Sequence, residues 1–164
     1  MIVRATTKLL KTSRIKPVKN IDEINSDMPG EWYAGLVSTG RQGKLVIHFL
    51  HHPTMISILV PGKSINKAIK QIPERCSNLL DRIGMSHLQP QFQLDSQPQV
   101  FTTNNKRMLG HHTSMRLEIE LHLAERDIED AKTWNILEDH FTNFIFTINK
   151  KFIMPKQILN NLSQ

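Results

Sequence analysis

Little in this chain advertises a chemistry. A single cysteine, Cys76, among 164 residues excludes an internal disulfide framework. With no secretory h-region in the basic opening segment 1–11, a reducing cytoplasm is the expected setting. No apolar run approaches the ~20 residues that span a bilayer. The best stretches, 45–50 and 56–60, are interrupted by His48 and Ser57. Aromatics are only 6% of the chain, and no glycine- or proline-rich linker or fixed-period repeat divides it. A hydrophobic content of 39% still allows a real core, so collagen-like, disulfide-dense and wholly disordered classes are excluded. Lysine plus arginine (21) exceeds aspartate plus glutamate (15), leaving a formal charge of +6.

The expected organisation is one α+β domain over residues 1–164, an antiparallel sheet with helices packed on one face. Residues 1–6 read as a strand, with Thr6 or Thr7 capping a helical turn over 8–11. Segment 16–31, with Pro17, Pro29 and Gly30, reads as a loop. Residues 32–37, 44–50 and 55–60 carry three strand signals, joined by turns at Gly40 to Gly43 and at His51 to Thr54. An antiparallel meander follows. In 64–84, Ile65, Ile69, Ile72, Cys76, Leu79, Leu80 and Ile83 make one helical stripe, capped by Ser64 and Gly84 and kinked or broken at Pro73. Segment 86–105 reads mostly as loop, with an edge strand at 100–103. In 115–124 the apolar alternation is that of a strand, whereas the Leu/Glu content and Thr113 and Ser114 favour helix. Residues 128–148 read as a helix, and Pro155 opens another that runs to Leu162. The expected core contains Leu9, Trp32, Leu36, Val46, Phe49, Ile58, Val60, Ile69, Ile72, Leu79, Leu80 and Phe141.

Catalytic signatures are missing. There is no H-E-x-x-H, C-x-x-C, G-x-S-x-G or Walker loop, and Gly40 to Lys44 is better read as a hairpin turn. Eight histidines raise the question of a metal site, but His48, His51, His52, His111 and His112 read as solvated loop residues, with no metal or cofactor implied. Cys76 lies on an apolar helix face, where a thiol is inert. The acids Glu118, Glu120, Glu125, Asp127, Glu129 and Asp130 read as a solvated face and a helix start.

The cations are more informative. Arg4, Lys8, Lys11, Arg14, Lys16 and Lys19 crowd the first twenty positions without an acid, and Asn104, Asn105, Lys106 and Arg107 form a second basic segment. Such patches neutralise phosphates. The candidate binding residues are Arg4, Lys8, Lys11, Arg14, Asn105, Lys106 and Arg107, with His111 and His112 secondary. If the two segments converge, a binding module for nucleic acid or an acidic protein partner is the expected function, with no membrane contact. One alternative is a small metal-independent nuclease or hydrolase, which calls for a pocket where two of His111, His112, Arg107 and Arg4 meet. Another is a protein-interaction subunit of a toxin–antitoxin or defence pair, marked by a large apolar patch.

Several segments together resemble an uncharacterised bacterial domain family often met near plasmid and mobile-element genes. Its opening is matched by Arg4, Thr6, Lys8, Leu9 and Leu10, its Trp-x-Ala-x-Leu strand by Trp32, Ala34 and Leu36, and its Val-Pro-Gly turn by Val60, Pro61 and Gly62. The family loop Asn-Arg-Ser-Val-x-Gly-Ser-Met-Asn-Asp is echoed from Asn105 to Gly110, and Asn143 and Pro155 keep a family spacing. Two turns depart from the pattern. His51, His52 and Pro53 replace Thr-Asn, and His111, His112, Thr113 and Ser114 replace Ser-Met-Asn-Asp. The resemblance implies no established activity. It favours helix for 115–124.

Overall fold

The computed structural model describes residues 1–18, 27–103 and 105–163. Lys19 and Asn104, both part of the basic segments, lie outside the described residues. The chain opens with β1 (Ile2–Ala5) and α1 (Thr7–Ser13), whose N-cap Thr6 accepts from the Leu9 N–H through its hydroxyl at 3.3 Å. The expected meander follows as β2 (Glu31–Ser38), β3 (Leu45–His52) and β4 (Ser57–Pro61). Pro73 breaks the next helical segment, giving α2 (Ile65–Ile69) and α3 (Ile72–Arg82), with the proline in the first turn of α3. There its missing N–H costs nothing. A 3-10 helix (Ser86–Phe92) leads to β5 (Gln99–Thr102), then α4 (Lys106–Ala124) and α5 (Ala131–Phe141). A hairpin of β6 (Phe146–Ile148) and β7 (Lys151–Ile153) precedes α6 (Pro155–Leu162).

The main sheet runs in the order β4-β3-β2-β1-β5. It is mixed, which corrects the expected antiparallel sheet. β1 pairs parallel with β2 on one side and with β5 on the other. Parallel neighbours need a crossover, and α1 lies in the one joining β1 to β2.

Helices cover both faces, not one. The reason is in the strands: β2 and β3 are apolar at both parities, and a strand greasy on both sides needs cover on both. Val3, Ala5, Trp32, Ala34, Ile47, Phe49, Ile58 and Val60 face a cluster completed by α1, α2, α3 and Leu159 of α6. Tyr33, Val37, Val46, Leu50 and Leu59 face Met108, Met115, Ile119 and Leu123 of α4 and Trp134, Leu137 and Phe141 of α5. Every residue of the expected core is buried except Leu36, which is half-buried against the first cluster.

The helix reading of 115–124 holds, but α4 begins nine residues earlier than that segment and takes in His111 and His112. The expected 128–148 helix stops at Phe141 and is followed by β6.

Candidate functional site

Arg4 leaves the basic surface altogether. In the β1–β2 register it sits opposite Tyr33, on the face that α4 covers, and it is 1% exposed. Its Nε donates to Glu31 Oε2 at 2.6 Å and its Nη2 to Glu31 Oε1 at 2.9 Å. Tyr33 donates its hydroxyl to Glu31 Oε2 at 3.0 Å, and Asn105 Nδ2 donates to that hydroxyl at 3.4 Å. The guanidinium also lies 5.9 Å from the Phe101 ring centre. Burial and the Glu31 charge push the Tyr33 phenol well above its usual range. Arg4 is thus the hub of a buried array joining β1, β2 and the start of α4, which corrects its assignment to a solvent-facing patch.

The other cations are exposed: Lys8, Lys11, Arg14 and Lys16 on and after α1, and Lys106 and Arg107 in the first turn of α4. The parallel β1–β5 pair brings the two segments to one end of the sheet. Ala5 is in register with Thr102, and the Thr103 N–H donates to the Ala5 carbonyl at 3.0 Å. Thr102 shares a surface cavity of about 450 Å³ with Lys11, Arg14 and Lys16. Asn105 caps α4, its Oδ1 accepting from the Met108 N–H at 3.1 Å. From this common end α1 carries Leu9 and Leu10 to one face of the sheet, and α4 carries Met108 and Met115 to the other. Between the two helices lies a smaller cleft of about 170 Å³, lined by Lys8, His112 and Arg116 among others. His112 therefore meets Lys8 and Arg116 there, rather than Arg4 or Arg107.

The histidines are not solvated loop residues. His48 and His51 are 0% exposed and His112 is 8% exposed. Burial lowers all three, His51 to about 3 and His112 to about 4. Neutral rings fit their partners. His112 Nε2 lies 2.7 Å from the Tyr33 carbonyl, which only accepts, so that nitrogen carries the proton. His51 Nε2 likewise donates to the Pro29 carbonyl at 2.8 Å, leaving Nδ1 to accept from the Thr54 hydroxyl at 2.7 Å. His48 reaches Ser57 at 3.0 Å and packs edge-on against His112, with ring centres 4.6 Å apart. His111, half-buried in α4, meets the Phe146 ring edge-on at 5.3 Å. Burial lowers its pKa first, then the Arg107 and His52 charges. Among the described residues, no group of three or more His, Cys, Asp or Glu side chains could hold a metal ion.

Sequence reasoning missed Glu31, Tyr33, Gly35 and Arg116. The available signal was parity: Arg4 shares its side of β1 with Ile2, the side that looks toward the buried odd-numbered positions of β2. It also missed Glu138, buried in α5, which accepts from Arg75 at 2.7 Å, Arg82 at 3.2 Å and the Leu59 N–H at 2.9 Å. That carboxylate ties α5 to α3 and covers part of edge strand β4. Cys76 is buried as expected, and burial pushes its thiol far above the range for a nucleophile.

Among the described residues, no helix is long and apolar enough to cross a membrane. A family profile described as Domain of unknown function (DUF6933) matches residues 2–158. No curated protein and no solved structure matches the chain.

Proposed function

The chain belongs to that family of unknown function, and we propose that it is a binding module whose basic sheet end contacts nucleic-acid phosphates. The observation behind this reading is the parallel pairing of β1 with β5, which starts α1 and α4 from the same end of the sheet. Lys8, Lys11 and Arg14 then share that end with Lys106 and Arg107, all exposed. Asn105 acts as a spacer with a structural duty, since its side chain is engaged by Met108 and Tyr33. Arg4 supports the surface from beneath.

Charge without interleaved aromatics favours contacts to the backbone over base stacking. Binding is then weakly sequence-dependent and strongly salt-dependent, because each neutralised phosphate releases counterions and adds roughly 0.9 to the log–log slope on duplex DNA. The test is a fluorescence-anisotropy titration against duplex and single-stranded oligonucleotides at several salt concentrations. Replacing Lys106 and Arg107 with alanine weakens binding for all sequences alike and reduces the slope by up to ~2. Wild-type protein that binds no oligonucleotide at low salt overturns the reading.

A further inference from the structure

We propose that the cleft between α1 and α4, floored by Gly35 and lined by Thr6, Lys8, His112, Thr113 and Arg116, binds a phosphomonoester group. The inference rests on the basic sheet end as an anion surface and names a specific ligand within it.

Position is the first argument. β1 ends at Ala5, while its partner β2 runs on to Ser38. The chain leaves β1 for one face of the sheet and leaves β5 for the other. In open sheets with parallel strands, ligands settle outside the carboxyl ends of strands where successive connections part in this way. The Ala34 carbonyl accepts from the Thr6 N–H at 2.9 Å across the end of β1. Strand alternation then directs the peptide groups of Leu36, two residues on, toward the same side, into the edge of the cleft.

The lining supplies complementary chemistry. Lys8 and Arg116 bring positive charge from opposite walls. Arg116 has an acidic neighbour in Glu120, but at 3.8 Å and on an exposed helix face, a pair of little worth that an anion can displace. Thr6 Oγ1 already accepts from Leu9, which directs its own hydrogen to another acceptor. Thr113 donates to the Leu109 carbonyl at 2.9 Å and so offers lone pairs.

His112 decides between kinds of anion. Its Nε2–H is committed to the Tyr33 carbonyl, so Nδ1 presents a lone pair. A Cβ on Gly35 would lie 3.4 Å from that nitrogen, in van der Waals contact with it, so glycine leaves Nδ1 uncovered on that side. The ring stays neutral at physiological pH. A carboxylate ligand brings charge but no donor for Nδ1. A phosphomonoester, with a second ionisation near pH ~6, is mostly dianionic at neutral pH and brings anionic oxygens for Lys8 and Arg116. Its monoanion, still accessible there, carries a P–OH that the His112 lone pair favours, a form a carboxylate reaches only far below neutral pH. At about 170 Å³ the cleft takes the phosphate and leaves the rest of the ligand outside, since pockets that enclose whole drug-sized molecules run from ~300 Å³ upward.

Two sources share this chemistry, the phosphorylated end of a nucleic-acid strand and a free small phosphomonoester. The test is an NMR titration of the full chain with inorganic phosphate, reading the His112 ring nitrogens and the Gly35 amide. Saturable shifts at both are expected, with half-saturation raised about tenfold by Arg116→Gln through loss of a charge-assisted contact. Gly35→Ala, which closes the floor against His112, acts in the same direction, and its unchanged amide spectrum elsewhere shows that the fold is kept. Comparing 5′-phosphorylated and 5′-hydroxyl forms of one oligonucleotide with glycerol phosphate then separates the sources. A gain from the 5′-phosphate beyond glycerol phosphate assigns the cleft to strand ends, and equal binding assigns it to small molecules. The proposal is overturned by shifts that do not saturate, by acetate acting as strongly as phosphate, or by identical titrations of wild type and Arg116→Gln. The Lys106/Arg107 alanine pair separates this site from the surface around it: it lowers duplex affinity while leaving the phosphate titration in place.

Discussion

A guanidinium and a carboxylate removed from water, as Arg4 and Glu31 are with side chains 2% and 3% exposed, hold each other under strict terms. Their attraction only offsets the cost of desolvating both charges, whereas removing one partner strands the other. Arg4→Met is therefore expected to cost ~3–5 kcal/mol in urea unfolding, and the double change Arg4→Met with Glu31→Leu to restore much of that loss. A single change costing less than ~1 kcal/mol would show the pair to be solvated. The same residue shows where reading the chain as a line of charges fails. Arg4 and Lys8 look equivalent in sequence, yet one lies on the covered side of a strand and the other on an exposed turn of helix. The exposed cations of α1 and α4 were legible because neither helix start has a neighbouring acid to mark burial in a pair. Glu31 and Tyr33 were not, because they are two residues apart on β2 and meet Arg4 only through the register.

At the scale of elements, α4 shows why alternation misleads. Its buried positions, Met108, His112, Met115, Ile119 and Leu123, recur at steps of three and four. Leu117 and Leu121, which complete the strand-like pattern, are 60% and 64% exposed on the opposite side. Two apolar stripes on one helix imitate the period of a strand. Gly110 lies within this helix, and a Cβ there meets nothing within 4 Å. Gly110→Ala is therefore expected to stabilise the protein by ~0.4–1 kcal/mol, by reducing the freedom of the unfolded chain. A rise in the urea midpoint at unchanged m-value checks it, and a fall would mean that something approaches this face closely. The missed hairpin has a similarly local cause. Its connection is Asn149 and Lys150, both at positive φ, 51° and 63°. That is the backbone of a type I′ turn, but without the Asn-Gly or Asp-Gly pair that announces one. The proline break between α2 and α3 was legible because proline acts on its own backbone, with no tertiary partner required.

For the whole molecule, the two-sided sheet could be inferred from β2 and β3 only by noticing that both parities are apolar. The parallel order, by contrast, depends on a crossover that no local pattern records. The two-sided burial has a consequence for pH, since His51 lies under one face while His48 and His112 lie under the other. Each is held neutral by burial, below its ordinary value of 6.5. Once the chain unfolds, each takes up a proton below that value. Between pH 6.5 and the folded values of about 3 for His51 and about 4 for His112, the unfolded state therefore binds more protons than the folded one. Stability then rises with pH across that window and falls on acidification. Glu138 works in the opposite sense, because burial raises its carboxyl against the pull of Arg75 and Arg82, but it is one group against three. Each histidine contributes a slope of up to ~1.4 kcal/mol per pH unit, so three consume a typical folding free energy of ~5–15 kcal/mol within a few units. Urea unfolding at half-unit steps from pH 7.5 to the acid transition measures the slope directly. It is expected to steepen below pH 6.5, and His51→Gln, which keeps a donor and an acceptor without a titrating ring, flattens it by up to ~1.4 kcal/mol per unit. Stability that stays level from pH 7 to pH 5 would mean that these rings gain their protons without unfolding, and that water reaches them in the native state.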